Sequence, residues 1–369
     1  MKETAKNSEY TKRINRRQII SLIRKQPMPR TELAGKTGLT RAAITLITRE
    51  LIEEGILVEG ETSVRQQKGK APKPLSVNPE AYYAVGVFLT RSGCTVGVCN
   101  FAGQVLEKQN VIMKDPSELK LLKDAVHACM SHDPGRNFIG VGISAPGPLD
   151  AEKGALLNPP YFEAWHNTAV VPYLAASLGV DVYLEKDACV LALYHLDKGE
   201  SKDFLLLLVD NGIGSGVVSN GQLLVSAGHY TSELGHTTIV YNGKKCGCGN
   251  RGCLEAYASV PNLLLESGGK YSSWNELIDS GDTQLLDREA DYLAAGIVNI
   301  RNLINIDTVY LAGYIKYGFD LLAPRLMQRI SVHSMPKTPI RLLPSCHVSD
   351  MGAAAAANLA FSRYLERSI

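Results

Sequence analysis

The chain has 369 residues, 45% of them hydrophobic and 21% charged, with a formal net charge of +2. That length calls for two or three domains of a soluble globular protein. No apolar run approaches the ~20 residues of a membrane-spanning helix, which excludes that class.

The small net charge hides an asymmetry. Residues 1–78 hold 16 Lys+Arg against 8 Asp+Glu, while the remainder holds 23 against 29. A basic block on an acidic body points to a head that binds a polyanion. Met1 to Arg17 is charged and lacks an apolar signal core, so a cytoplasmic location with reduced cysteines is expected.

Thr11 to Gln26 places Ile14, Ile19, Ile20, Leu22 and Ile23 among Arg and Lys, the pattern of a short amphipathic helix that Pro27 and Pro29 end. Thr31 is expected to cap a second helix, Glu32 to Thr37, followed by a turn at Gly38-Leu39. Thr40 is the expected cap of a third helix running to about Glu54, with Gly55 as its stop. Ile44, Ile47 and Leu51 make its buried stripe, and Arg41, Ala42, Thr45 and Arg49 face the other way.

A helix, a tight turn and a helix with basic and hydroxyl residues near its start form a helix-turn-helix, whose second helix enters the major groove. Ile56 to Val58 and Pro74 to Val77 read as the strands of a wing, with a basic tip from Arg65 to Lys73. The expected DNA contacts are Arg30, Thr40, Arg41, Ala42, Thr45 and Arg49, with Lys68, Lys70 and Lys73 on the wing. Leu46 stands among them as a thymine-methyl contact or a packing residue. The competing reading of residues 1–78 is a three-helix protein-interaction module with a solvated basic face.

Beyond Asn78-Pro79, strands are expected at Tyr83–Val87, Cys94–Cys99, Phe138–Ile143, Val180–Leu184 and Phe204–Val209. Helices are expected over Ser117–Met130, from Ala188, and over Met351–Arg367 with its five-alanine run. Asp210 to Gly216 reads as a glycine loop at a strand end. Alternating strands and helices with such loops indicate an α/β body whose ligand site lies at the strand ends. Trp165 and Tyr161 are open to either pocket stacking or core packing.

Cys246-Gly-Cys248 and Cys253 give C-x-C-x4-C spacing, and His236 lies ten residues upstream. Three thiolates and an imidazole suit one closed tetrahedral zinc, a structural site with no position left for a catalytic water. One Zn2+ per chain is therefore expected on His236, Cys246, Cys248 and Cys253. Cys94, Cys99, Cys129, Cys189 and Cys346 lie in apolar contexts and are expected only to pack.

Glu233-x-x-His236 and the cysteine stretch running into Glu255 carry a resemblance to the ROK family (repressors, open reading frames and sugar kinases) over roughly residues 80–369. The resemblance implies an actin/hexokinase-like (ribonuclease H-like) α/β body in two lobes behind the winged helix-turn-helix. The head would span 1–78 and the body 79–369. The first lobe would be about 79–196 plus a closing helix at 350–369, and the second about 197–349 with the zinc site.

The same resemblance implies that Glu233, His236 and Glu255 meet sugar hydroxyls. Asp187 matches the family's catalytic aspartate, and Lys186 stands where Asn is common. A cation there pairs with Asp187 or favours a phosphorylated or acidic sugar. The phosphate-binding features depart from the family pattern: Phe88 and Thr90 replace an Asp and a Gly, Asp210-Asn211 replaces Gly-Thr, and Tyr314 replaces a Gly. The expectation is a regulator, a repressor in type, rather than an enzyme. Its partners would be a palindromic operator and a sugar or sugar-phosphate effector, acting on a homodimer or homotetramer with no membrane association. An active ATP-dependent sugar kinase with an added DNA-binding head is the alternative.

Overall fold

The computed structural model describes residues 8–60, 73–90, 93–160, 162–199, 201–224, 232–335, 337–345 and 348–368. In the head, α1 (Ser8–Lys25) buries Ile19, Ile20 and Ile23. Ile14, expected in the same stripe, is exposed. It lies nine positions from Ile23, which at about 3.6 residues per turn puts it on the opposite face. After β1 (Met28–Pro29), α2 (Arg30–Thr37) starts directly behind Pro29 without a side-chain cap. Thr31 is thus inside the helix, because proline's fixed φ already sets its entry.

Gly38 at φ 72° closes α2, and α3 (Arg41–Glu53) begins with the Thr40 hydroxyl accepting from the Ala43 N–H at 3.2 Å. The strands β2 (Leu57–Glu59) and β3 (Pro74–Val77) complete a three-stranded sheet in the order β1-β3-β2. The wing tip between them lies outside the described residues.

The body contains two five-stranded sheets. The first is built from β4 (Tyr83–Thr90), β5 (Gly93–Asn100), β6 (Val105–Ile112), β7 (Phe138–Ala145) and β10 (Val182–Lys186). A hairpin of β8 (Leu149–Asp150) and β9 (Ala155–Leu156) follows β7. Strand order is β10-β7-β4-β5-β6, with helices α4 (Leu119–Ser131) and α5 (Val170–Leu178) sharing its core. The strand β6 has no counterpart in the sequence reading. It is an edge strand with mostly exposed side chains, so it lacks the apolar run that marked its neighbours.

Helix α6 (Asp187–Lys198) leaves β10 and leads to the second sheet: β11 (Phe204–Val209), β12 (Ile213–Ser219), β13 (Gln222–Leu223), β14 (Thr308–Gly313) and β15 (Arg341–Pro344). Its order is β13-β12-β11-β14-β15. The expected loop from Asp210 to Gly216 is much shorter. Asp210 N–H bonds Gly212 O at 2.9 Å, and strand pairing resumes with Val209 opposite Ile213. Helices α7 (Glu255–Ala258), α8 (Val260–Glu266), α9 (Trp274–Ser280), α10 (Thr283–Leu303) and α11 (Phe319–His333) cover this sheet.

The closing helix α12 (Val348–Ser368) lies on the first sheet. A Cβ on Gly86 or Gly142 would come within 1.7 Å of Ala353 O or 1.8 Å of Ala356 O. Backbone therefore rests on backbone, which explains both the glycines and the alanine run. Cys94, Cys99, Cys129 and Cys189 are buried, and Cys346 lies outside the described residues. Among the described residues no helix is long and apolar enough to cross a membrane.

Candidate functional site

Strand ends from both sheets converge on a cleft of about 240 Å3. Its sequence-expected members are Lys186, Asp187, Glu233, His236 and Glu255, and all five line it. Phe88, Thr90, Asp210 and Tyr314 line it too.

Lys186, the last residue of β10, is almost fully buried. Its Nζ donates to Glu233 Oε1 and to Ser232 O, both at 3.0 Å. Glu233 is an ion-pair partner of Lys186 that the sequence reading does not name, and Asp187, which it does name, also acts on the ammonium. Burial disfavours the ammonium, but Cys189, Glu233 and Asp187 outweigh it and the pKa lies above the usual lysine value. The glycine at 147 makes room for this arm, since a Cβ there would sit 2.8 Å from Lys186 Cδ.

Asp187 opens α6, and its Oδ1 accepts from the Ala188 N–H at 2.6 Å. Burial pushes its carboxyl up to about 6, against the pull of the Ala188 N–H and Lys186, with Asp210 and Glu233 adding to the rise. Glu255 is buried, and its Oε2 accepts from the Ile213 N–H at 2.8 Å. One of its oxygens is therefore engaged in holding the β11–β12 turn. A Cβ on Gly212 would meet that same oxygen at 2.8 Å.

The remaining lining differs in chemistry. Phe88 is 8% exposed, and a Cβ on Gly352 would meet its ring at 2.6 Å, so it is seated against α12. Asp210 Oδ1 accepts from the Tyr314 N–H at 2.8 Å, which ties the ends of β11 and β14 together. Arg91, beside Thr90, lies outside the described residues. Trp165 is 1% exposed and stacks on Phe162 at 5.3 Å, so it belongs to the first-lobe core; Tyr161 is not among the described residues. Pro160 reaches the cleft instead.

His236 ends a short 3-10 turn that begins just after Glu233, while Cys246, Cys248 and Cys253 come from the loop before α7. Their ligand atoms all lie within 4.8 Å of one another. Cys248 and Cys253 sulfurs are 3.7 Å apart, and Cys246 Sγ is 3.6 Å from His236 Nδ1. A tetrahedral zinc with Zn–S bonds of about 2.3 Å sets its sulfurs about 3.8 Å apart, so the donor set and spacing fit one such ion. Burial first, then the neighbouring thiols, push the Cys246 thiol up to about 12, and a divalent cation would reverse that. The loop is shaped by tight turns: Gly249 and Gly252 have φ of 92° and 79°, and a Cβ on Gly252 would meet Val240 O at 1.7 Å.

On the head, Arg41, Ala42, Thr45, Leu46 and Arg49 are exposed along one side of α3, and Thr40 is exposed at its start. Thr45 folds its hydroxyl back onto Arg41 O at 2.8 Å, and Arg49 lies 3.6 Å from Glu53. Arg30 is turned inward to Thr48 Oγ1 at 2.9 Å and Glu59 Oε1 at 2.7 Å, bracing α3 against the wing strand. These two bonds, which a basic residue at a helix start does not announce, engage its guanidinium within the head. Lys73 is exposed and 3.5 Å from Glu59, while Lys68 and Lys70 lie outside the described residues.

Comparison with known proteins bears on both the fold and the cleft. The model of the ROK family matches residues 84–363. The chain is 26% identical to a xylose repressor of Bacillus spizizenii, the match covering 97% of both chains. It is also 30% identical to a glucokinase of Thermotoga maritima, over 74% of this chain and 96% of that one. Among solved structures, a ROK family transcriptional regulator described as a homolog of the E. coli MLC protein superposes with TM-score 0.81 at 24% identity. That alignment covers 96% of this chain and 98% of the other.

Proposed function

The chain belongs to the ROK family, and from that premise we propose a DNA-binding transcriptional repressor whose operator binding is controlled by a sugar held in the cleft. One observation carries this reading. The match to a repressor runs through 97% of both chains, so it includes the winged head as well as the body. The glucokinase match leaves about a quarter of this chain uncovered.

The head supplies an exposed α3 face with Arg41, Thr45 and Arg49 for base edges and phosphates. The cleft supplies Glu233, Asp187 and His236, whose oxygens and ring nitrogen suit sugar hydroxyls. His236 turns Nδ1 to the cysteines, which leaves Nε2 as its group for the cleft. One structural Zn2+ on His236, Cys246, Cys248 and Cys253 would hold this wall rigid; its chemistry is that of a closed site, not of a Lewis acid. Two heads are needed for a palindromic operator with half-sites about one helical turn apart, so the working form is a homodimer or a larger even assembly. A location in the cytoplasm, with DNA, follows from that role.

The kinase reading has one specific support. Asp187, with its pKa raised to about 6, is tuned as a general base would be. Against it stand the sequence departures at Phe88 and Asp210, which put an aromatic ring and a carboxylate in the cleft lining where the family pattern has Asp and Gly. We therefore assign Asp187 to recognition rather than to proton transfer.

The test is operator binding by gel shift across a panel of free and phosphorylated sugars, run beside a coupled assay for ATP-dependent sugar phosphorylation. The expected result is DNA binding altered by at least one sugar and no turnover. Turnover at an enzyme-like rate would overturn the repressor reading.

A further inference from the structure

Sugar and DNA sites are far apart in the chain, and the structure offers a device to couple them. Helix α6, twelve residues long, starts at Asp187 in the cleft and ends at Lys198 beneath the head. At about 1.5 Å per residue it is a rod of about 18 Å. Its flank is seated on the second sheet. A Cβ on Gly216 of β12 would meet Ala188 O and Ala192 Cβ, both at 2.7 Å. His195 Nε2 lies 2.8 Å from Ser345 Oγ, and its ring stacks on Tyr310 of β14 at 4.0 Å. Along this flank α6 is seated on the second sheet, and on another it meets Ala355, Ala356 and Leu359 of α12, so it lies between the two.

The far end of α6 grips α1. Lys25 Nζ donates to Leu196 O at 3.0 Å. Arg24 donates to Asn358 Oδ1 of α12 at 3.0 Å, and Asn358 Nδ2 donates to Asp197 Oδ2 of α6 at 2.5 Å. The same Arg24 is anchored to the first lobe. It donates to Phe101 O at 3.1 Å, and its guanidinium lies 5.1 and 4.9 Å from the Phe101 and Phe361 rings. The C-terminal turn of α1 is thus held from one side by the first sheet with α12, and from the other by α6. Beside it lies a cavity of about 460 Å3 whose walls include Arg17 of α1, Glu185 of β10, Gln222 of β13 and Arg363 of α12. A space bounded by both sheets must change shape when the lobes rotate.

We propose that α1 reads the angle between the lobes, with α6 as the lever and Lys25–Leu196 and Arg24–Asn358–Asp197 as the latch. This rests on the repressor reading and specifies how its two sites communicate. A ligand that closes the cleft shifts α6 relative to α12, and the latched α1 carries that shift to α3. The two-sided hold on one helix turn is the element whose arrangement both sites bias.

The test displaces the lever without using a sugar. Gly216→Ala wedges α6 off β12 at Ala188 and Ala192, away from the exposed side of α3; because Ala188 adjoins the cleft residue Asp187, the effect is read with no sugar present. Lys25→Ala with Asn358→Ala removes the latch. Affinity is measured for a duplex selected from a random pool by the wild-type chain. With the latch intact, Gly216→Ala is expected to change that affinity at least about five-fold; with the latch removed, less than about two-fold. Equal changes in both backgrounds would overturn the proposal. His195→Ala, which loosens the same seat rather than wedging it, gives the second lever variant if Gly216→Ala fails to fold. Absence of any selected duplex would instead refute the DNA-binding reading. A wild type that binds DNA and ignores every sugar would refute the effector reading and leave this cycle to be judged on its own result.

Discussion

Two groups of residues lining the cleft carry contrasting chemistry. In one, Glu233, His236 and Glu255 sit within a few residues of the cysteine cluster, and each is tied down: Glu233 by Lys186, His236 beside Cys246, Glu255 by the Ile213 N–H. In the other, Phe88 packs against α12 and Asp210 bonds the Tyr314 N–H. The first wall keeps oriented acceptors that a polyol needs. The second presents an aromatic ring and a carboxylate, and a carboxylate repels a polyphosphate. The contrast teaches that one cleft can carry both chemistries on shared elements, since Glu255 and Asp210 both belong to the surroundings of the β11–β12 turn.

Breaking the scaffold of the first wall should have the largest effect. Cys248→Ser is expected to remove one zinc per chain, measured by elemental analysis, and to abolish the response of operator binding to sugar. Metal-free wild-type protein with a full sugar response would show that the wall stands without the ion. Next, Glu233→Ala removes a sugar acceptor and one of the groups that hold the Lys186 ammonium. Calorimetry should show sugar affinity falling by at least about a hundred-fold, while gel shift shows DNA binding retained.

The second wall should be dispensable for sugar. Phe88→Ala is expected to lower thermal stability by about 3 kcal/mol through the cavity it leaves, yet to keep sugar affinity within a few-fold. A loss of sugar binding comparable to that of Glu233→Ala would erase the distinction between the walls.

The smallest effect concerns Asp187, which stands between them. Its carboxyl has a folded pKa of about 6, raised by burial, against about 3.9 in an unfolded chain. A raised pKa means that its contribution to stability is fully present below about 3.9 and is lost as pH rises through about 6. Asp187→Asn should therefore raise stability above pH 6 by roughly 1–2 kcal/mol, allowing for its partial contact with solvent, and flatten the profile between those values. Chemical denaturation at pH 4.5 and 7.5 measures it; an unchanged slope would mean that Asp187 is solvated and ionised throughout.

Much of this was legible from residues because the signals are local. The Thr40 cap, the Gly38 turn and the stripe Ile44, Ile47, Leu51 each depend on neighbours within about two helical turns, and α3 forms where they put it. The cysteine spacing confined the metal donors to one short loop, so only His236 had to be brought in. Strand β6 was invisible because an exposed edge lacks apolar patterning, and β12 because its glycines, needed for the close approach of α6, read as a loop.

What sequence alone determined is the set of chemical capacities: a basic capped helix, a tetrahedral thiolate-imidazole donor set and acidic groups fit for hydroxyls. Tertiary structure decided how those groups are used. Lys186 pairs with Glu233, Arg30 bonds Thr48 and Glu59, and Arg24 and Lys25 bond α1 to α12 and α6. The physical reason is that an ionic side chain is defined by its partner. Lys186 is 47 residues from Glu233, and Arg24 is 334 from Asn358, so only the folded chain sets those pairs.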